Sequence, residues 1–225
     1  MDLYLQMREW LLKHDADAPK IWTWSQNVVA PESAEQLAGE IVWIVLCAGR
    51  SAQAARTLAA RIWEAISNGG SACDAFGFRS KASAIDRIWG DRDANFARFE
   101  EVRATGSSEA LLEWCGSLDW VGNITKYQLA KNLGAAVVKP DRWLVRLAGL
   151  ADESRVSAKV RFDACMALCY PLAEAAGERV ASVDSLLWLA CNKGVLVVDN
   201  RGGPVSLNLE VGRRRSIYMD APTRA

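Results

Sequence analysis

The stretch Leu118-Asp119-Trp120-Val121-Gly122-Asn123-Ile124-Thr125, followed sixteen residues after Thr125 by Asp141 within Val137-Val138-Lys139-Pro140-Asp141-Arg142-Trp143-Leu144-Val145-Arg146, decides how this chain is read. In the first segment an apolar helix end meets a tight turn containing glycine, and Thr125 is a residue type that caps a following helix. The pattern predicts helix, hairpin, helix. The first turn of the second helix leaves backbone N–H groups unpaired and carries positive partial charge, so the turn can hold a phosphate without any excess of Lys or Arg. Taken alone, Gly122 and Thr125 read more readily as an ordinary helix corner. Asp141 follows Pro140 and opens an amphipathic helix over 141–150, where its simplest role is an N-cap worth about 1 kcal/mol.

Outward from this core the chain reads as helical. Pro31-Glu32-Ser33 signals a helix start, and Leu37, Ile41, Ile44, Val45 and Ala48 recur at helical spacing. A corner at Gly49-Arg50-Ser51 leads into a second amphipathic helix over 51–66, which Asn68-Gly69-Gly70 stops. Further helices are expected over 81–89, 95–103, 108–114, 125–133, 141–150, 157–170 and 184–191. Val195 to Val198, the turn-rich Asp199 to Gly203, and alternating Val205, Leu207, Leu209 and Val211 predict a small C-terminal β-hairpin. An N-terminal stretch holding Trp10, Trp22 and Trp24 is unassigned.

With 27 basic and 27 acidic residues the chain has no global field that would attract nucleic acid, so any such site is a local patch. Lys126, Lys131, Lys139, Arg142 and Arg146 outnumber Asp119 and Asp141 between 118 and 146, which suggests one. The six cysteines follow no CxxC pairing and sit in apolar runs, so free buried thiols in a reducing cytoplasm are expected. His14 is the single histidine, which removes Ser-His-Asp, Cys-His and His-rich metal sites from contention. There is no GxxxxGK[ST] or GxGxxG phosphate loop. No leader and no membrane span is expected from the sequence, and the reading is a cytoplasmic monomer.

In combination and order these segments resemble the helix-hairpin-helix DNA glycosylase superfamily, including its endonuclease III and alkyl-purine glycosylase branches. Those families carry a hairpin of the type LPGVGxxTA and then an Asp in a VDTHVxR-like or PDxxLxR-like segment. Gly122 and Thr125 match the hairpin; Asp141, Leu144 and Arg146 match the second segment. Upstream, residues 40–66 resemble the family's helix, corner and helix, and Gly77 to Ala82 resembles its GxxxxKA step. Val183 to Trp188 is compatible with the closing helix.

The resemblance implies an all-α, two-lobed helical fold with a small β-hairpin, forming one domain over residues 1–225. One lobe would span about 35–135 and the other would join the N-terminus to about 136–225. It implies double-stranded DNA as partner, with Trp120, Val121, Gly122, Asn123, Ile124, Thr125 and Lys126 as the docking segment. Arg50 is the candidate to reach into the duplex where a base has left, with Gln53 as an alternative. Asp141 becomes the candidate catalytic carboxylate, placed to stabilise oxocarbenium-like charge on deoxyribose and to activate water. Trp22, Trp24 and Trp43 are candidate stacking partners for a flipped base.

Three departures carry consequences. Trp120 replaces the first glycine of the hairpin, so either the backbone turn is altered or an aromatic face is presented to the sugar or phosphate. Gly49-Arg50 replaces the glutamine-bearing corner. Ile124 stands where bifunctional relatives place the lysine that attacks C1′, and an alkyl side chain cannot be a nucleophile. The resemblance therefore implies a monofunctional glycosylase that uses water, with no metal and no iron–sulfur cofactor. Its setting would be DNA repair or removal of a modified base in viral DNA. Two other readings are a superfamily member that modifies bases without excising them and a non-catalytic DNA-binding module.

Overall fold

The computed structural model describes residues 1–211; the last part of the domain expected over 1–225 lies outside the described residues. The chain opens with helices α1 (Asp2–His14) and α2 (Ala18–Asn27), then runs through α3 (Ala34–Cys47), α4 (Ala52–Ser67), α5 (Ala72–Ala75), α6 (Arg79–Gly90), α7 (Arg92–Ala104), α8 (Ser108–Ser117) and α9 (Thr125–Asn132). It closes with α10 (Arg142–Leu147), α11 (Ala158–Ala176), α12 (Val180–Lys193) and two short strands, β1 (Leu196–Val197) and β2 (Ser206–Leu207). The fold class is all-α, as the sequence predicts. None of the described helices is long and apolar enough to cross a membrane.

The described residues fall into two compact units, Val29–Leu133 and Met1–Val28 joined with 134–211. In the first, α3 is the central element, with Leu37, Ile41, Val45 and Leu46 fully buried. It packs against α4, α6, α7 and α9. Both of its neighbouring starts are fixed as expected: Ser33 Oγ accepts from the Gln36 N–H and Ser51 Oγ from the Ala54 N–H. In the second unit α12 is central, packed on α2, α10 and α11, with Val183, Leu186 and Leu189 fully buried. Only Cys165, Cys169 and Ala173 of α11 are buried, one stripe at i, i+4 and i+8. All six cysteines are free thiols, and Cys115, Cys165, Cys169 and Cys191 are buried.

Several elements differ from the sequence reading. The Trp-rich N-terminus forms α1 and α2, held by the carboxylate of Glu178. That carboxylate accepts from Tyr4 Oη, from Arg8 Nη1 at 2.6 Å and from Trp22 Nε1 at 3.2 Å. Helix α11 continues past Tyr170 through Pro171 to Ala176, losing one backbone hydrogen bond but keeping Ala173 buried. Helix α10 is shorter than expected, because Gly149 takes φ +81° and the Leu150 N–H returns to the Val145 carbonyl.

The β-hairpin is present, antiparallel with Leu196 opposite Leu207, and it has a definite task. A Cβ at Gly202 (φ +72°) would lie 2.6 Å from the Gly149 carbonyl carbon, so glycine alone permits this approach. The Asp152 N–H also donates to the Asn200 carbonyl at 2.8 Å. The hairpin turn therefore braces the end of α10.

Candidate functional site

Asp141 is the N-cap of α10. Its Oδ1 accepts from the Trp143 N–H at 2.9 Å and the Leu144 N–H at 3.2 Å. Such bonds favour the anion and ordinarily hold a carboxyl below its usual range. Here the reverse holds. Burial, and then the negative charge of Asp184, push the Asp141 carboxyl up against the opposing pull of Lys139 and the two capping bonds. Asp184, on α12 and 2% exposed, accepts the Lys139 N–H at 3.0 Å and so fixes the segment leading into Asp141. The thiols of Cys165 and Cys191 close the surroundings, each pushed up to about 12 by burial and by carboxylates that include Asp141. A half-buried carboxylate with a reluctant charge, beside a second carboxylate, takes up a proton more readily than an ordinary one and, while ionised, can stabilise an adjacent cation.

The turn between α8 and α9 lies in the other unit. The Val121 N–H donates to the Leu118 carbonyl, and Val121 itself is buried, so its side chain anchors the turn from inside. Thr125 is not the cap expected from sequence. It is the first residue of α9, with Ile124 as N-cap, and its Oγ1 accepts the Gly122 N–H at 2.7 Å. The hydroxyl thus closes the turn instead of capping the helix. Lys126 donates its N–H to the Gly122 carbonyl, while its ammonium lies 5.2 Å from the Tyr127 ring. Among the described residues the N–H groups of Asn123, Ile124 and Thr125 have no hydrogen-bond partner, and Gly122 and Asn123 are exposed.

Trp120 takes φ +64°. The turn therefore keeps the left-handed conformation that glycine supplies freely, and a tryptophan carries it, which costs about 1–2 kcal/mol for a non-glycine residue. Arg50 is exposed at the corner after α3, with its guanidinium 4.8 Å from the Phe76 ring, and Gln53 is exposed on the first turn of α4. Lys81, from the GxxxxKA-like step, is 5% exposed and donates to the carbonyls of Val45 at 2.9 Å and Ala48 at 2.7 Å. It caps the C-terminus of α3, where a cation also meets the negative end of the helix dipole. Burial, and then the neighbouring Arg50, lower its pKa.

The remaining residues named from sequence scatter. Trp22 and Trp24 lie on α2, in the unit that carries Asp141, and Trp43 lies on α3 in the other. The Trp22 indole is taken by Glu178, whereas Trp24 Nε1 is buried without a partner. The basic strip expected between 118 and 146 does not form as a whole. Lys131 is 4% exposed, because it falls on the inner face of α9, and Arg146 is engaged by Asp152. Sequence reasoning missed Asp184, Phe76 and Phe78. An Asp amid the apolar residues of α12 was the available signal for the first.

No family model and no curated protein matches the sequence. The structure is similar to that of an 8-oxoguanine glycosylase/lyase from Methanocaldococcus jannaschii, solved in complex with a 15mer DNA containing 8-oxoguanine. The TM-score is 0.61 at 14% identity, covering 86% of this chain and 99% of that one. The chain thus has a helical fold like that glycosylase.

Proposed function

We propose that this protein is a monofunctional DNA glycosylase that turns a damaged or modified base out of double-stranded DNA and hydrolyses its N-glycosidic bond. The observation that carries the reading is Asp141. An N-cap needs only a hydrogen-bond acceptor, and Ser or Asn would serve without charge. The chain instead holds there a carboxylate whose ionisation burial opposes, a feature of acid–base sites more than of structural caps. The hairpin supports DNA as the partner, since three unpaired N–H groups on an exposed turn suit a phosphate. Ile124 supports hydrolysis over lyase chemistry.

In this reading the C1′–N bond breaks with its electron pair leaving on the base, and the Asp141 carboxylate faces the cationic sugar. Water then adds its oxygen to C1′ and passes a proton to Asp141, which releases it to solvent, and the departed base takes up a proton from solvent at the nitrogen that held the sugar. The products are a free base and an abasic site. Incubating the protein with duplexes that each carry one modified base, then treating with hot alkali, tests this. Strand breaks should appear only after alkali, with one or a few of the duplexes. Breaks without alkali would make the enzyme a lyase, and tight binding with no breaks would leave a binding module.

The hairpin can be tested separately. A Cβ at Gly122 would meet only Thr125 Oγ1, at 3.7 Å, so the free protein has room for it. Gly122→Ala is expected to keep its stability or gain up to ~1 kcal/mol. It should bind DNA about tenfold more weakly, because the methyl group stands where a phosphate approaches. Thermal melting alongside fluorescence-anisotropy titration checks both halves, and undiminished affinity would detach Gly122 from phosphate docking.

A further inference from the structure

Trp120 and Phe78 are large apolar side chains left 42% and 47% exposed, and they touch: their rings lie 5.6 Å apart at 74°. Phe76, 6% exposed, backs Phe78 at 6.2 Å. Two cations border the rings, Arg50 over Phe76 at 4.8 Å and Lys81 at 5.4 Å from Trp120. Of the acids neighbouring the rings in sequence, Asp119 is turned to Arg87 and Asp74 accepts from the N–H and hydroxyl of Ser71. Three separate chain segments, the corner after α3, the approach to α6 and the turn before α9, thus converge on one aromatic ledge of positive character within a single unit.

The fold does not require this arrangement. Glycine at position 120 would relieve the left-handed strain, and an exposed indole gains little from burial. Edge-to-face contact and a cation near the ring return part of that energy. What the ledge offers a ligand is a π surface flanked by positive charge, beside the exposed hairpin N–H groups. That is the pairing used to hold unstacked bases, the rings taking the base and the exposed Arg50 its phosphate, while Lys81, held by the Val45 and Ala48 carbonyls, only adds positive field behind Trp120.

We propose that Phe78 and Trp120 form a stacking site for an unpaired nucleobase of the DNA strand whose phosphate meets the hairpin, a site built wholly from the unit that does not carry Asp141. It rests on the reading of the chain as a DNA-binding protein. The site makes the protein favour DNA that is locally unpaired, where a base is free to leave the helix.

The test compares the full chain with its Trp120→Gly and Phe78→Ala variants, by anisotropy, on a fully paired duplex and on the same duplex with a three-nucleotide bubble. Wild type should bind the bubble about tenfold more tightly than the paired duplex, and each variant should lose most of that preference, as expected for one stacked base. Because the rings carry no charge, the slope of log affinity against log salt should not change. Trp120→Gly should melt at or above the wild-type temperature, so its loss of preference cannot come from misfolding. If Trp120→Gly retains the full bubble preference, or if wild type binds duplex and bubble alike, the ledge is not a base site. If wild type binds neither DNA, the DNA-binding reading itself falls and the ledge suits a protein partner instead.

Discussion

Replacing Asp141 by Asn is expected to cut excision by about 10²–10⁴-fold, the usual contribution of a positioned acid or base, while the protein stays folded and keeps its affinity for DNA. The amide oxygen can still accept from the Trp143 and Leu144 N–H groups, so the cap survives and only the charge and the proton acceptor go. Stability separates this role from a purely structural one. Since burial and Asp184 raise the Asp141 pKa, the folded protein holds that proton more tightly than the unfolded chain does. Its contribution to stability therefore grows as pH falls through the folded-state pKa and is missing above it. Asp141→Asn should then melt at or above the parent temperature at neutral pH, with the difference shrinking on acidification. A cap retained for its charge predicts the opposite, a loss of about 0.3–1 kcal/mol from the helix-dipole interaction. Full activity in the variant would overturn the mechanism.

The same geometry sets the pH profile. In the proposed mechanism Asp141 acts as the anion, so activity should fall on the acid side at a higher pH than an ordinary carboxylate would give. Asp184→Asn removes the nearby negative charge yet leaves an acceptor for the Lys139 N–H. The acid limb should move to lower pH in that variant, whereas a residue that only held the loop would change the rate without moving the limb.

How far the chain was legible depended on the range of the interactions involved. Ser33, Ser51 and Asp141 cap helices through partners two or three residues away, so these starts could be read directly. Helices α1 and α2 could not, because what holds them is Glu178, at the far end of the chain. Trp120 could be seen to break the hairpin pattern, but not with what result: φ +64° gives it the left-handed backbone that glycine adopts freely, and its indole is left exposed. The raised pKa of Asp141 was hidden for a related reason. Its main causes are burial and an acid on another helix, and neither is written in the residues around Pro140.

The largest loss of stability should follow from a residue remote from the chemistry. Lys193, in the last turn of α12, is 4% exposed and places its ammonium 3.0 Å from Asp15 and 3.1 Å from Asp17, which is itself 1% exposed. Asp15 also accepts the N–H groups of Asp17 and Ala18, so the cluster ties the start of α2 to the end of α12. Lys193→Met leaves two carboxylates buried without their cation, which costs about 3–5 kcal/mol. A loss of that size is much of the 5–15 kcal/mol that holds a typical domain together. The urea midpoint should drop accordingly, and adding Asp15→Asn and Asp17→Asn should restore a good part of it, since the cost lies in stranded charge and not in lost packing. A drop below about 1 kcal/mol would mean that water reaches the cluster and screens it. Because α12 also carries Asp184, loosening its end tests whether the acid pair depends on the whole helix. Activity per folded molecule should be unchanged if Val183, Leu186 and Leu189 hold Asp184 in place unaided, and the pH limb should shift if they do not.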